Sequence, residues 1–153
     1  MEVTGVNMKG WEEALQKKLG FSIGSEDTPQ PTSSKGANDP IKFVSKGWGW
    51  EKWIVNCPIY CGKILFFAQG KKCSWHYHEI KDEVFYIQSG AVEVIYSYQD
   101  NPEIADKILL VEGDKFHVPT GMRHQMYALK DTELFEFSTE HFDSDSIRLQ
   151  KGD

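Results

Sequence analysis

The chain has 153 residues, 40% of them hydrophobic and 13% aromatic, which suits one folded domain with a filled core and argues against disorder. Its formal net charge of −6 would repel a phosphate backbone, so we expect no nucleic-acid partner. No apolar run is long enough to span a bilayer, and the first residues carry glutamates where a signal peptide would be apolar, so we expect no membrane partner. Three cysteines leave one unpaired in any disulfide scheme, which favours a reducing cytoplasm.

Residues 1–40 are predicted to form a short helix followed by a flexible linker arm. The helix is expected over residues 8–20, because apolar side chains recur there every four residues: Trp11, Leu15 and Leu19. Residues 24–40 are rich in proline, glycine and small polar residues, a composition typical of a linker or surface arm. We therefore predict a main domain over residues 41–153 that ends in a C-terminal tail.

Short runs rich in aromatic and β-branched residues alternate with turn signals from residue 41 onward. These runs are 52–56, 63–68, 83–88, 92–98, 107–111, 115–119 and 133–138. Short strands separated by tight turns predict an all-β sandwich or small barrel over residues 41–140.

Three histidines and one glutamate form the constellation that indicates chemistry. They occur in two blocks, Gly70-x5-His76-x-His78-x4-Glu83-x6-Gly90 and Gly113-x5-Pro119-x-Gly121-x2-His124. Three imidazoles and one carboxylate suit a divalent Zn, Mn, Fe, Ni or Co ion and leave positions open for water or substrate. We therefore predict one divalent metal ion. Taken singly, each of these four residues could equally be an ordinary strand or core residue.

Strand geometry explains how these ligands could meet. His76 and His78 alternate with Trp75 and Tyr77, so on a strand the two histidines point to one side. Glu83 follows a turn, after which an antiparallel strand would carry it back beside the pair. His124 follows a Pro-Thr-Gly turn that can direct it into the barrel.

The two blocks resemble the paired signature motifs of the cupin superfamily over about residues 45–140, with Ala128 in place of the usual closing Asn. The resemblance implies a double-stranded β-helix (a cupin jelly roll barrel), a metal site at the four residues named above, and a homodimer. A tryptophan cluster could lie in that dimer contact or in the core: Trp48, Trp50 and Trp53.

The flanking segments 46–56 and 133–153 look like those of the cupin domain of type II mannose-6-phosphate isomerases. That likeness implies a metal-dependent isomerase acting on a sugar or sugar phosphate as its small-molecule substrate. Ser74 stands where those isomerases usually have Gln, and the gap between the histidine pair and Glu83 is longer than is common there.

If the protein is such an isomerase, the catalytic base would be Glu136 or a metal-bound hydroxide. Lys63 and Arg123 would then hold an anionic group such as phosphate. Glu136 alternates with Phe135 and Phe137, and the sequence leaves open which of them face the interior.

Two other functions remain open from the sequence. One is a mononuclear iron dioxygenase with an apolar pocket. Five apolar residues could line that pocket or equally serve as barrel core: Phe85, Ile87, Trp75, Met126 and Phe137. The other is a non-catalytic metal- or sugar-binding module, since a fold does not choose among these classes. The sequence indicates no chemical role for the remaining two histidines. His117 is expected to be packed or on the surface, and His141 at the surface or in an interface.

Overall fold

The computed structural model describes residues 35–153, so the helix predicted over residues 8–20 and most of the arm lie outside the described residues. The described chain contains eleven β-strands and two short 3-10 helices, Pro102–Ile104 and Asp143–Asp145. The strands are β1 (Lys42–Lys46), β2 (Gly49–Cys57), β3 (Tyr60–Phe67), β4 (Trp75–Tyr77), β5 (Glu83–Ser89), β6 (Ala91–Ser97), β7 (Asp106–Val111), β8 (Lys115–Val118), β9 (Arg123–Ala128), β10 (Thr132–Ser138) and β11 (Ile147–Gln150). Within residues 35–153, no helix has the length and apolar character needed to cross a membrane.

The strands form two antiparallel sheets, which confirms the predicted all-β fold of the jelly-roll type. The six-stranded sheet has the order β1-β2-β3-β10-β5-β8, and the five-stranded sheet has the order β11-β4-β9-β6-β7. Consecutive strands such as β4 and β5 lie in different sheets, so the chain crosses repeatedly from one sheet to the other. All seven predicted runs are strands, and β4 is the strand expected for His76 and His78. The other three strands, β1, β9 and β11, were not predicted and are mixed in polarity.

The hydrophobic core fills the space between the two sheets, because alternate residues of each strand face inward. Leu65, Phe85 and Leu134 come from the six-stranded sheet, and Val94 and Met126 from the five-stranded one. Thirteen buried residues belong to this cluster. Since they occupy only part of the interior, polar side chains can fill the rest.

The tryptophan cluster divides between the core and the outer surface. Trp48 is 8% exposed and stacks on Phe67 with ring centroids 4.1 Å apart. Trp50 stacks on Phe66 at 5.5 Å, and both of these rings are partly buried. Trp48 is therefore a core residue.

The tail is part of the barrel. Strand β11 pairs with β4, and beyond it the Asp153 backbone N–H donates to Lys72 O at 3.0 Å. The Asp153 carboxylate in turn accepts the Lys72 N–H at 2.7 Å. A Cβ at Gly152 would lie 2.4 Å from the carbonyl carbon of Cys73, so only glycine permits this close approach. The end of the domain is thus held against the strand that carries His76.

Candidate metal centre

Each of the three histidines is oriented by a backbone carbonyl. Nδ1 of His76 lies 2.9 Å from Ser74 O, Nδ1 of His78 lies 2.9 Å from Asp145 O, and Nδ1 of His124 lies 3.1 Å from Met122 O. A carbonyl oxygen only accepts, so Nδ1 carries the proton in each ring and Nε2 is left with a free lone pair. One ligand atom from each ring lies within 4.8 Å of the others. This arrangement is typical of imidazoles that bind a metal through Nε2.

Oε1 of Glu83 lies beside the Nε2 atoms of two histidines, and none of these atoms carries a proton. This oxygen lies 3.4 Å from Nε2 of His78 and 3.1 Å from Nε2 of His124. Both His78 Nε2 and Glu83 Oε1 are buried and have no hydrogen-bond partner among the described residues. Facing lone pairs repel each other, and a cation between them would remove that cost. The four side chains therefore fit one divalent ion.

The two sheets contribute ligands from opposite directions. His76 on β4 and His124 on β9 are direct cross-strand partners, and His78 follows at the end of β4. Glu83 begins β5, which lies in the other sheet. The prediction that an antiparallel strand carries Glu83 back beside the histidines is wrong, because the chain changes sheets at residues 79–82 and Glu83 approaches across the interior.

The local electrostatics favour ligand protonation states. Burial, reinforced by the nearby rings of His124 and His78, lowers the pKa of His76 well below its usual range, so this ring is neutral at pH 7. Burial alone would raise the pKa of Glu83, but the ammonium of Lys81 beside it lowers that pKa well below its usual range. A neutral imidazole and an ionised carboxylate are the forms that bind metals.

Behind Glu83, side chains of alternating charge form a row that we call the charge ladder, and all of them except the partly exposed Lys46 are buried. Its members, in order from the metal centre outward, are Glu83, Lys81, Glu136, Lys63, Glu51 and Lys46. Successive nitrogen–oxygen distances are 2.5, 2.8, 3.7, 3.8 and 3.3 Å. Three ammonium and three carboxylate groups balance, so the ladder carries no net charge of its own.

Lys81 links the metal centre to Glu136. Burial alone would lower the pKa of Lys81, but Glu136 and Glu83 raise it, so its ammonium stays charged. Burial alone would raise the pKa of Glu136, but Lys81 and then Lys63 lower it. Sequence reasoning missed Lys81, because a lysine two positions before a glutamate is an ordinary surface pattern.

Asp145 was also missed, and it fixes the turn that carries His78 and Lys81. Its carboxylate accepts the backbone N–H groups of Glu79 at 2.9 Å, Ile80 at 3.0 Å and Lys81 at 2.9 Å. The side chain of Asp145 is only 4% exposed, so these bonds are shielded from water. No pattern in the acidic tail distinguishes this aspartate from its neighbours Asp143 and Ser144.

The metal centre opens into a cavity of about 330 Å³. One part of its wall is apolar and consists of Trp48, Leu65, Phe67, Phe85 and Met126. The other part is the charge ladder together with residues of the last segment, including His141, Ser146 and Arg148. A mixed wall of this kind suits a small ligand with both polar and apolar faces.

Of the side chains predicted to line an apolar pocket, only Phe85 and Met126 do so. Ile87 is buried in the core, and Trp75 is buried on the other side of its strand, where Nε1 donates to Asp100 O at 2.7 Å. Phe137 is 57% exposed. The prediction of Trp75 and Phe137 as lining is corrected, because alternate residues of a strand face opposite ways. Ile87 faces inward like Phe85, but it lies in the core and not on the cavity wall.

Two of the three candidate catalytic residues face the cavity, and the third does not. Glu136 and Lys63 face the cavity and are 3% and 2% exposed. Arg123 lies on the outer face of β9, where it donates to Asp100 at 2.8 Å and stacks on Tyr77 at 3.9 Å. Because His124 is the neighbouring residue and points inward, Arg123 cannot reach the cavity, and its predicted role as an anion holder is corrected.

The two histidines outside the motif also differ from each other. His117 is exposed on β8 and contacts Asp82 at 3.0 Å, as a surface residue would. His141, expected at the surface or in an interface, instead lines the cavity with its side chain 10% exposed. Asn56 holds its backbone in place through two hydrogen bonds of 2.8 and 3.0 Å.

Sequence comparison identifies one domain family in this chain. Residues 64–138 match the family described as the cupin domain. No curated protein matches the chain as a sequence relative.

Solved structures with the same fold are numerous, and three illustrate their range. The capsular polysaccharide assembling protein CapF from Staphylococcus aureus has a TM-score of 0.63 at 17% identity, over 72% of this chain and 34% of that chain. KdgF from Halomonas sp. has a TM-score of 0.58 at 23% identity, over 69% of this chain and 90% of that chain. Oxalate decarboxylase from Bacillus subtilis has a TM-score of 0.64 at 16% identity, over 82% of this chain and 34% of that chain. The aligned part is thus about a third of CapF and of oxalate decarboxylase, and at these identities the likeness concerns the fold.

Proposed function

We propose, on the basis of the match between residues 64–138 and the cupin domain family, that this protein is a metal-dependent enzyme that isomerises a small sugar-type substrate between its aldose and ketose forms. The observation that carries the proposal is the buried Lys81–Glu136 pair beside the metal centre. It provides an ionised carboxylate within a cavity that already holds four metal-ligand side chains. Metal ligands and a general base in one small cavity are the parts that such a reaction needs.

Each group has a distinct task in this proposal. His76, His78, His124 and Glu83 hold the divalent ion, which would polarise the substrate carbonyl and its neighbouring hydroxyl. Glu136 takes the C2 proton of the aldose and returns it to C1, while the proton of the C2 hydroxyl passes to the oxygen on C1, so that the carbonyl moves from C1 to C2. Protons and electrons balance within the substrate, so no oxidant or reductant is required.

The environment of Glu136 supports a proton-transfer role. Lys81 and Ser138 donate to Oε1, at 2.8 and 3.1 Å, and Oε2 has no hydrogen-bond partner among the described residues. The lowered pKa of Glu136 means that it is ionised at pH 7, so Oε2 can accept a proton. The long Lys81 side chain keeps this carboxylate fixed relative to Glu83.

Hydrogen exchange at the reacting carbon tests the proposal directly. We would incubate protein loaded separately with Zn, Mn, Fe, Ni and Co with free and phosphorylated hexoses in D2O, and follow them by proton NMR. We expect conversion of one aldose–ketose pair, with loss of the C2 proton signal, and a loss of at least about 100-fold in rate for Glu136→Gln. The surface variant Glu133→Gln, on the same strand, is the matched control.

Absence of conversion and exchange with every metal would contradict the proposal. Oxygen uptake by the iron-loaded sample would then favour the dioxygenase instead. Tight hexose binding without conversion would favour the non-catalytic binding module.

A further inference from the structure

Lys63 is a buried ammonium whose donors have no acceptor within hydrogen-bond distance among the described residues. Its side chain is 1% exposed. The nearest carboxylate oxygens, on Glu136 and Glu51, lie 3.7 and 3.8 Å away, and the Trp53 ring centroid lies 4.4 Å away. An ammonium has three donors, so Lys63 can still offer at least one to a ligand in the cavity that it lines.

His141 supplies the complementary unpaired atom. Its Nε2 lies 3.2 Å from Oδ1 of Asp143, and because a carboxylate accepts, Nε2 carries the proton. Its Nδ1 is buried and has no hydrogen-bond partner among the described residues. Burial, together with the charges of Lys63 and Lys81, lowers the pKa of His141, which keeps the ring neutral and Nδ1 an acceptor.

One aromatic ring brings the two groups together. The Trp53 ring contacts His141 edge-on, with centroids 4.7 Å apart, and it also lies under the Lys63 ammonium. Trp53 and Lys63 are direct cross-strand partners on β2 and β3. Lys63 and His141, which both line the cavity, therefore lie against the same aromatic ring.

We propose that Lys63 Nζ and His141 Nδ1 form a second ligand subsite that binds an uncharged hydroxyl group of a sugar-type ligand. A hydroxyl accepts from Lys63 and donates to His141, which satisfies both unpaired atoms at once. This inference rests on the proposed function, because it assumes that the other end of the ligand binds at the metal centre. If the subsite binds a hydroxyl group, the ligand is the free sugar rather than its phosphate ester.

The charges around Lys63 explain why a phosphate is disfavoured. Glu51 and Glu136 already flank the ammonium at 3.8 and 3.7 Å. A phosphate placed on Lys63 would meet both carboxylates at short range in a shielded site, and like charges repel strongly there. Arg123, the other expected phosphate holder, points away from the cavity. A hydroxyl carries no such penalty.

Binding measurements test the subsite independently of turnover. We would titrate the zinc-loaded protein with D-aldohexoses and D-2-ketohexoses, each as the free sugar and as its 6-phosphate, by isothermal calorimetry. We expect a free hexose to bind and its 6-phosphate to bind no more tightly. We also expect His141→Phe, which keeps an aromatic ring on Trp53, to weaken that binding by about tenfold, the loss of one hydrogen bond to a buried donor or acceptor. Lys63→Met should weaken it as well, while the exposed variant His117→Phe should not.

Three binding results would overturn the subsite: no free hexose binds, a 6-phosphate binds at least about tenfold tighter than its free sugar, or His141→Phe binds like the original protein. Hexose binding that depends on His141 but gives no isomerisation would support the subsite and contradict the proposed function. Isomerisation of 6-phosphates alone would overturn the subsite and leave the proposed function standing.

Discussion

The backbone carbonyl of Asp145 accepts a hydrogen bond of 2.9 Å from Nδ1 of His78, although 67 positions separate the two residues in the chain. The same aspartate binds three successive N–H groups of the turn that follows His78. One residue of the last segment thus orients a metal-ligand side chain and the turn leading to Lys81. Metal affinity should therefore depend on a residue that does not touch the metal.

Asp145→Ala tests this dependence. The change leaves the three N–H groups without their acceptor and loosens His78, so we expect metal affinity to fall by about 10–100-fold. Affinity would be measured by competition with a chromogenic chelator. Asp143→Ala, at an exposed position two residues earlier, should leave affinity unchanged. Equal affinity in the two variants would mean that the Asp145 carboxylate has no part in holding His78 in place.

Removing either of two histidine ligands should abolish metal binding without unfolding the domain. His76→Ala and His124→Ala each remove one of three converging Nε2 atoms. We expect elemental mass spectrometry to show well under one metal equivalent and circular dichroism to show an intact β fold. His117→Ala is the control, since this exposed histidine pairs with Asp82. A full metal equivalent in both ligand variants would show that the ligand set is wrong.

The charge ladder predicts a large difference between buried and exposed lysines. Lys81→Met leaves Glu83 and Glu136 buried without their shared ammonium, and we expect the free energy of unfolding to fall by about 3–5 kcal/mol. Lys107→Met breaks a pair with Glu93 in which both partners are exposed, and should cost under about 1 kcal/mol. Both would be measured by urea denaturation of the metal-free protein.

A double variant tests whether Lys81 and Glu136 interact within the charge ladder. Adding Glu136→Gln to Lys81→Met removes one of the two stranded charges, so part of the lost stability should return. A double variant that is less stable than Lys81→Met by the full cost of Glu136→Gln alone would show that the two residues do not interact.

Glu136 should also give a defined pH dependence. Its pKa lies below the ordinary value of 4.5, so the folded state binds the proton more weakly than the unfolded state does. The stabilisation from ionised Glu136 is therefore complete above about pH 4.5 and is lost as the pH falls through the folded-state value. The difference in unfolding free energy between the original protein and Glu136→Gln should be constant from pH 7 to pH 5 and shrink towards pH 3.5. A difference that stays constant over the whole range would contradict the lowered pKa.

The sequence by itself determined the fold class and predicted the three histidines that the structure brings together. Strand runs with a period of two, separated by turn residues, identify an all-β barrel because local alternation fixes which side chains face inward. The spacing of His76, His78 and His124 within two motifs was equally readable, since these residues lie at or near strand positions that the alternation places on one side.

Only the tertiary structure decided what surrounds those histidines. Whether Glu136 or Phe137 faced the interior depended on the register between β10 and its neighbours, which no local pattern supplies. Lys81 and Asp145 gain their roles from contacts with residues distant in the chain, and in the sequence they look like ordinary surface charges. His141 enters the cavity because the last segment folds back over the barrel. The physical reason is common to Glu136, Lys81 and Asp145: a charged side chain can be buried only where opposite charges or hydrogen-bond partners meet it, and here those partners are distant in the chain and are brought together by the fold alone.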